Sequence, residues 1–314
     1  HKKTYMLRNI LTLNKYKNQD KTQDFHEEHQ YLNICSDILK EGELIQGRNG
    51  FTKVTIGGVM HFSLQEGSIP LLTTKKMAWK TCLKELLWFI RGKMDNHLLK
   101  EQNVHIWDGN TTPEFKKEYG VEHLGEDDLG PVYGHQWRFF NADYVNKNYN
   151  YDGQGVDQLQ EVIDQLKDPK KRNSRRLIIS AWNPCQIQEG VLPPCHVLFQ
   201  FHVTDENKLS CTLYQRSVDV FLGCPFNIAS YSFLTHLIAH HCDLIPHEFI
   251  HYLGNTHIYD DHFEQVEEQI KREPHPFPKI KILCKKENIN DYTIEDFQVE
   301  SYVSHKSIKG KMRS

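Results

Sequence analysis

Apolar positions along the chain follow two repeats. Tyr31–Glu41 and Trp79–Gly92 place them at helical spacing, and Gly92 suits the left-handed residue that closes a helix. Arg176–Trp182, Val197–Val203 and Lys208–Tyr214 are apolar, partly alternating runs of strand length. Asn227–His241 is apolar for too long to be one strand, so it predicts a buried helix. Strands and helices interleave without an internal repeat. The pattern therefore predicts an α/β (α+β) fold around a single sheet.

Residues 1–27 are rich in Lys, Asn, Gln and Thr and read as an extension or linker, while 28–314 read as the globular domain. The first residue is His and not Met, which suggests a chain cut from something longer. No signal peptide is visible. The longest apolar runs, such as Leu86–Ile90, fall far short of the roughly 18 residues a membrane helix needs. Net charge is −3, so nothing pulls the whole chain toward DNA or a membrane, and any anion site has to be a local cluster of Arg or Lys. The eight cysteines include no C-x-x-C pair, and most lie in apolar segments. They read as free thiols in a reducing compartment, which predicts a cytoplasmic protein.

Three clusters carry candidate chemistry. In Leu192-Pro193-Pro194-Cys195-His196, two prolines fix the backbone ahead of a cysteine that cationic neighbours could hold as the thiolate. An isolated Cys at a strand start is more often a buried thiol. In Tyr214-Gln215-Arg216-Ser217-Val218-Asp219, the guanidinium and hydroxyl can share one phosphate. Asn227, in Phe226-Asn227-Ile228-Ala229-Ser230-Tyr231, carries both a donor and an acceptor for a pyrimidine edge. Taken singly, these are a surface arginine and a helix cap. Arg175-Arg176 before a strand are usually a solvated edge and count only in company.

Together with P-L-L-T-T-K-K (70–76), E-L-L-W-F-I-R-G (85–92), D-L-G-P-V-Y-G-x-Q-W-R (128–138) and G-Q-G-V-D-Q-L (153–159), these motifs resemble thymidylate synthase. They follow that family's order over roughly residues 29–309. The resemblance implies one domain on a mixed sheet flanked by helices, paired sheet to sheet as a homodimer. It implies methylation of dUMP to dTMP with 5,10-methylenetetrahydrofolate as co-substrate and no metal.

Carried over by position, Cys195 would attack carbon 6 of uracil, beside His196. Arg48, Arg216 and Ser217 would bind the phosphate, with Arg175 and Arg176 reaching across from the other subunit. Gln215 belongs to the substrate pocket, Asn227 would read the uracil, and His257 and Tyr259 would hold the deoxyribose. Glu85 would organise waters for proton transfer, and Tyr133 would help remove the carbon 5 proton. Trp107, Asn110, Asp219, Gly223 and Phe226 would form the folate side, with Asp219 on the pterin.

Some positions depart from the family. The loop Gly47-Arg48-Asn49-Gly50 is one residue short, Ala78 stands where an aromatic is common, and Asn255 replaces an Asp. The Lys311-Met312-Arg313-Ser314 ending lacks the small apolar residues that close on folate. Asn255, with the segments at 26–34 and 301–305, resembles fused dihydrofolate reductase–thymidylate synthases, so a fused or associated reductase is a further expectation. His236, His240 and His241 invite a metal, but no Glu follows His236 to complete H-E-x-x-H. Two rivals stay open: a dUMP hydroxymethylase on the same fold, and an inactive homologue that binds nucleotide or RNA. Asp in place of Asn227 would instead mark a cytosine reader.

Overall fold

A computed structural model describes residues 25–47 and 50–313, so Arg48 and most of the leader lie outside the described residues. Helix α1 (His29–Glu41) buries Tyr31, Cys35 and Ile38, the spacing of one helical face. It leads into β1 (Glu43–Gly47), β2 (Gly50–Ile56) and β3 (Val59–Ser63). Helix α2 (Trp79–Ile90) ends as its glycine predicts. Gly92 has φ +65, its N–H bonds to Phe89 O, and the Lys93 N–H bonds to Trp88 O. That pair of bonds satisfies carbonyls the helix end would leave bare.

Short helices α3 (Asn96–Lys100), α4 (Pro113–Glu118) and α5 (Tyr133–Phe139) follow, then α6 (Gln158–Lys167). The sheet continues with β4 (Ile178–Ser180), β5 (His196–Thr204) and β6 (Lys208–Asp219). Helix α7 (Gly223–His241) precedes β7 (Ile245–Tyr259) and α8 (Phe263–Gln269), and β8 (Lys279–Ile282) pairs with β9 (Phe297–Glu300).

The main sheet is mixed. Its order is β1-β2-β7-β6-β5-β4, with β3 also on β7, and the β6–β7 pair is parallel among otherwise antiparallel neighbours. Helix α7 is buried on nearly every side and packs on β6, β7 and α2, as its largely apolar sequence requires. Beneath it β6 turns Leu209, Cys211, Leu213 and Gln215 inward. The opposite face is less covered: Ile178, Tyr214 and Tyr252 are 43%, 43% and 45% exposed, and the strand register puts them on one side.

Two strands differ from expectation. β6 runs on past Tyr214 to Asp219, because the polar Gln215–Asp219 stretch stays paired with β7. β4 is shorter than Arg176–Trp182, leaving both arginines on the turn before it.

Candidate active site

The site gathers where β5 begins, β6 and β7 end, and α7 starts. Arg216 grips the proline turn: Nε donates to Pro194 O at 2.8 Å and Nη2 to Pro193 O at 3.0 Å. The same Nη2 lies 3.9 Å from Cys195 Sγ, and the guanidinium sits 5.5 Å over the Trp182 ring. Pro193 and Pro194 precede β5, which starts at His196, so their carbonyls lie outside the ladder and one arginine can take both. Burial pushes the Cys195 thiol up, Arg216 pulls it down and Asp219 raises it. Among the described residues, Arg216 is the guanidinium of the expected ring that acts on the sulfur. Arg175 and Arg176 are exposed, and the bonds at that turn run through the Arg175 carbonyl and the Arg176 N–H.

Behind the sulfur lies an aromatic wall. Tyr133, the first residue of α5, accepts the Cys195 N–H on its hydroxyl at 2.9 Å. Its ring stacks on His196 at 3.9 Å and 6°, and His196 Nδ1 meets the Tyr231 hydroxyl at 2.6 Å. Burial, with the nearby His251, drives the His196 imidazole down to about 3, so it is neutral. Glu85 projects from α2 into the same layer, where burial pushes its carboxyl up to about 7 and the Trp107 indole N–H, 2.8 Å from Oε2, opposes the rise.

Strands β6 and β7 supply the polar floor. Ser217 is level with Asn255 and Asp219 with His257. The Asn255 substitution keeps a useful contact, since its Oδ1 lies 2.9 Å from His257 Nδ1. Burial lowers the His257 imidazole and leaves it neutral. Gln215 donates to Asn227 Oδ1 at 3.0 Å. Asp219 accepts the Leu222 N–H at 3.4 Å, turning the chain toward Gly223 and α7. Asn110 is buried, and its Nδ2 has no partner among the described residues.

The last described residues close over the edge of this floor. Lys311 O meets His262 Nε2 at 2.8 Å, and Arg313 donates to Asp260 and Asp261 while its guanidinium lies 5.7 Å from the Tyr259 ring. A Cβ on Gly50 would come within 2.6 Å of Arg313 Nη1, so the tail reaches the end of the Arg48 loop.

The structure thus brings together Cys195, His196, Tyr133, Glu85, Trp107, Gln215, Arg216, Asn227, Asp219 and His257, and sets Arg175 and Arg176 apart. Sequence reasoning missed Trp182, Tyr231 and Arg313. Tyr231 ends a motif that was read only for its Asn, and the other two carry no signal beyond their residue type. The three histidines of α7 turn to separate partners: His236 to Ser68 O, His240 to Cys284 O and His241 to the Tyr292 hydroxyl.

A family model described as thymidylate synthase matches residues 29–314. The chain is 46% identical over 291 residues to the bifunctional dihydrofolate reductase-thymidylate synthase of Zea mays, covering 92% of this chain and 55% of that protein. It is 48% identical over 288 residues to the bifunctional protein of Paramecium tetraurelia, covering 91% and 61%. It is 47% identical over 288 residues to the thymidylate synthase of Equine herpesvirus 2, covering 91% of this chain and 98% of that protein. The chain spans little more than half the length of the bifunctional relatives, and nearly all of the viral one. Motif order, fold and these matches agree, and the chain belongs to the thymidylate synthase family.

Proposed function

We propose that the chain methylates dUMP to dTMP, with 5,10-methylenetetrahydrofolate as co-substrate. The observation that carries this reading is Cys195 Sγ lying 3.9 Å from the guanidinium that grips its own turn, with Tyr133 on its backbone N–H. Arg216, Ser217 and Arg48 bind the 5′-phosphate, and each guanidinium beside Cys195 favours its thiolate. The thiolate adds to carbon 6 of the ring, and carbon 5 becomes the nucleophile. With Nδ1 turned to Asn255, His257 offers Nε2 to the 3′-hydroxyl, beside Tyr259. Tyr133, through water, takes part in removing the carbon 5 proton, and the closing elimination breaks the S–C6 bond and returns the thiolate. Glu85, near neutrality, can both give and take a proton at working pH.

The orphaned Asn110 Nδ2, on a residue whose backbone N–H bonds to Trp107 O, offers a donor to a ligand acceptor, and Trp107, Phe226, Asp219 and Gly223 complete a folate side. The folate supplies the one-carbon unit and the hydride and leaves as dihydrofolate.

The apolar outer sheet face around Ile178, Tyr214 and Tyr252 supports pairing with a second copy of the chain. Arg175 and Arg176, exposed at the edge strand, would then complete the partner's phosphate site. Relatives named as bifunctional support a fused or associated reductase in the natural protein. All eight cysteines are free, in keeping with a reducing, cytoplasmic setting. No helix among the described residues is long and apolar enough to cross a membrane.

Product mass after incubation with dUMP and methylenetetrahydrofolate tests the reading. The expected products are dTMP and dihydrofolate. Hydroxymethyl-dUMP as sole product would assign a hydroxymethylase, and no product from folded protein a binding homologue.

A further inference from the structure

Among the apolar inward residues Leu209, Cys211 and Leu213 of β6 and Phe249 and Leu253 of β7, the polar Gln215 and His251, 2% and 0% exposed, meet beneath α7. Gln215 Nε2 donates to the backbone carbonyl of Ser217 at 3.0 Å and to Asn227 Oδ1 at 3.0 Å. Its Oε1 lies 2.8 Å from His251 Nε2. A backbone carbonyl can only accept, so Ser217 decides which end of the Gln215 amide is nitrogen. Oε1 must then accept, and His251 carries its proton on Nε2. The His251 Nδ1 is buried without a partner, which suits a bare lone pair better than a stranded N–H. Burial also drives this imidazole down to about 3, so it does not become a cation at working pH.

The order passes on to the pocket. With its oxygen turned to Gln215, Asn227 has its Nδ2 unengaged among the described residues, at a half-buried position on the first turns of α7. Uracil presents a carbonyl at position 4 and an N–H at position 3. Cytosine presents an amino group and a bare nitrogen at the same places. A donor at Nδ2 fits the first pattern and opposes the second. We propose that His251, acting through Gln215, holds the Asn227 amide in the orientation that accepts uracil and rejects cytosine. His251 is thus a positioning residue that touches no substrate. The inference rests on the proposed dUMP reading of the site.

Calorimetric titration with dUMP and with dCMP tests it, on wild type, Gln215→Met, His251→Leu and His251→Gln, with thermal melts to establish folding. Wild type should prefer dUMP. Gln215→Met and His251→Leu should cut the dUMP-to-dCMP affinity ratio about tenfold or more, the weight of one buried hydrogen bond. His251→Gln keeps a donor near the Nε2 position and should restore most of the ratio. A purely structural role would lower both affinities together, and an unchanged ratio in Gln215→Met and His251→Leu overturns the inference. Should His251→Leu not fold, Gln215→Met decides. Wild type with no preference for dUMP would instead remove the reading of the site on which this rests.

Discussion

Trp107 donates its indole N–H to Glu85 Oε2 at 2.8 Å, and this bond counters the burial that raises the Glu85 carboxyl to about 7. The raised value ties stability to pH. The folded protein keeps the Glu85 proton in a window where the unfolded chain, near the ordinary 4.5, has lost it. Stability from this group is full below about 4.5 and is lost as pH rises through about 7. Glu85→Gln carries no such charge. Denaturant melts should therefore show wild type losing roughly 3 kcal/mol relative to Glu85→Gln between acid and alkaline pH. A gap that stays constant across that window would rule out a buried, neutral carboxyl. Trp107→Phe should push the Glu85 carboxyl higher still, read as a displaced limb in the pH–rate profile.

Cys195→Ser should lose nearly all turnover, on the order of a thousandfold or more, while still binding dUMP in a titration. Turnover near wild type would show that the bond-forming group lies elsewhere.

The alkylation rate of Cys195 against pH reports its thiolate. Burial raises this thiol and Arg216 opposes the rise, so Arg216→Met should shift the profile to higher pH. A profile that does not move would mean that the guanidinium, although 3.9 Å from the sulfur, leaves its charge state alone.

The proposed sharing of sites between two copies of the chain makes a mixing prediction. Arg175→Ala and Cys195→Ser proteins, each nearly inactive, should recover activity when mixed, because a heterodimer holds one site with both residues intact. Demonstrated subunit exchange without any recovery would count against a shared site.

Gly254 lies against the Arg216 backbone. A Cβ there would lie 2.6 Å from the Arg216 carbonyl oxygen and 3.1 Å from its Cα, and these are backbone atoms that cannot step aside. Gly254→Ala should cost about 1–3 kcal/mol in a denaturant melt and weaken phosphate binding by displacing Arg216. A variant as stable and active as wild type would mean that β6 and β7 separate more easily than their close approach implies.

Much of the candidate site was legible because its residues are chemically conspicuous: a cysteine after two prolines, an Arg-Ser pair, an asparagine in a largely apolar helix. The helices α1, α2 and α7 were legible because each buries a long face or, for α7, its whole surface. β7 was not, although it is the 15-residue strand on which β2, β3 and β6 all pair. Its His251, Gly254, Asn255 and His257 interrupt the alternation that marks a strand: Gly254 lies against the Arg216 backbone, His251 bonds to Gln215, and Asn255 and His257 bond to each other. β6 was expected to stop at Tyr214 for the same reason. The roles proposed for Arg175 and Arg176 would need a second protomer, so neither composition nor one chain's geometry can place them at a phosphate.

The Arg216–Trp182 contact gives the protein an intrinsic optical reporter. A guanidinium 5.5 Å above an indole perturbs its emission, and a phosphate drawing that cation toward itself would change the perturbation. Trp88 and Trp137 are fully enclosed in the core and far less responsive to solvent, so a Trp182→Phe difference spectrum would isolate the signal. Nucleotide affinity could then be followed by fluorescence without a label or turnover.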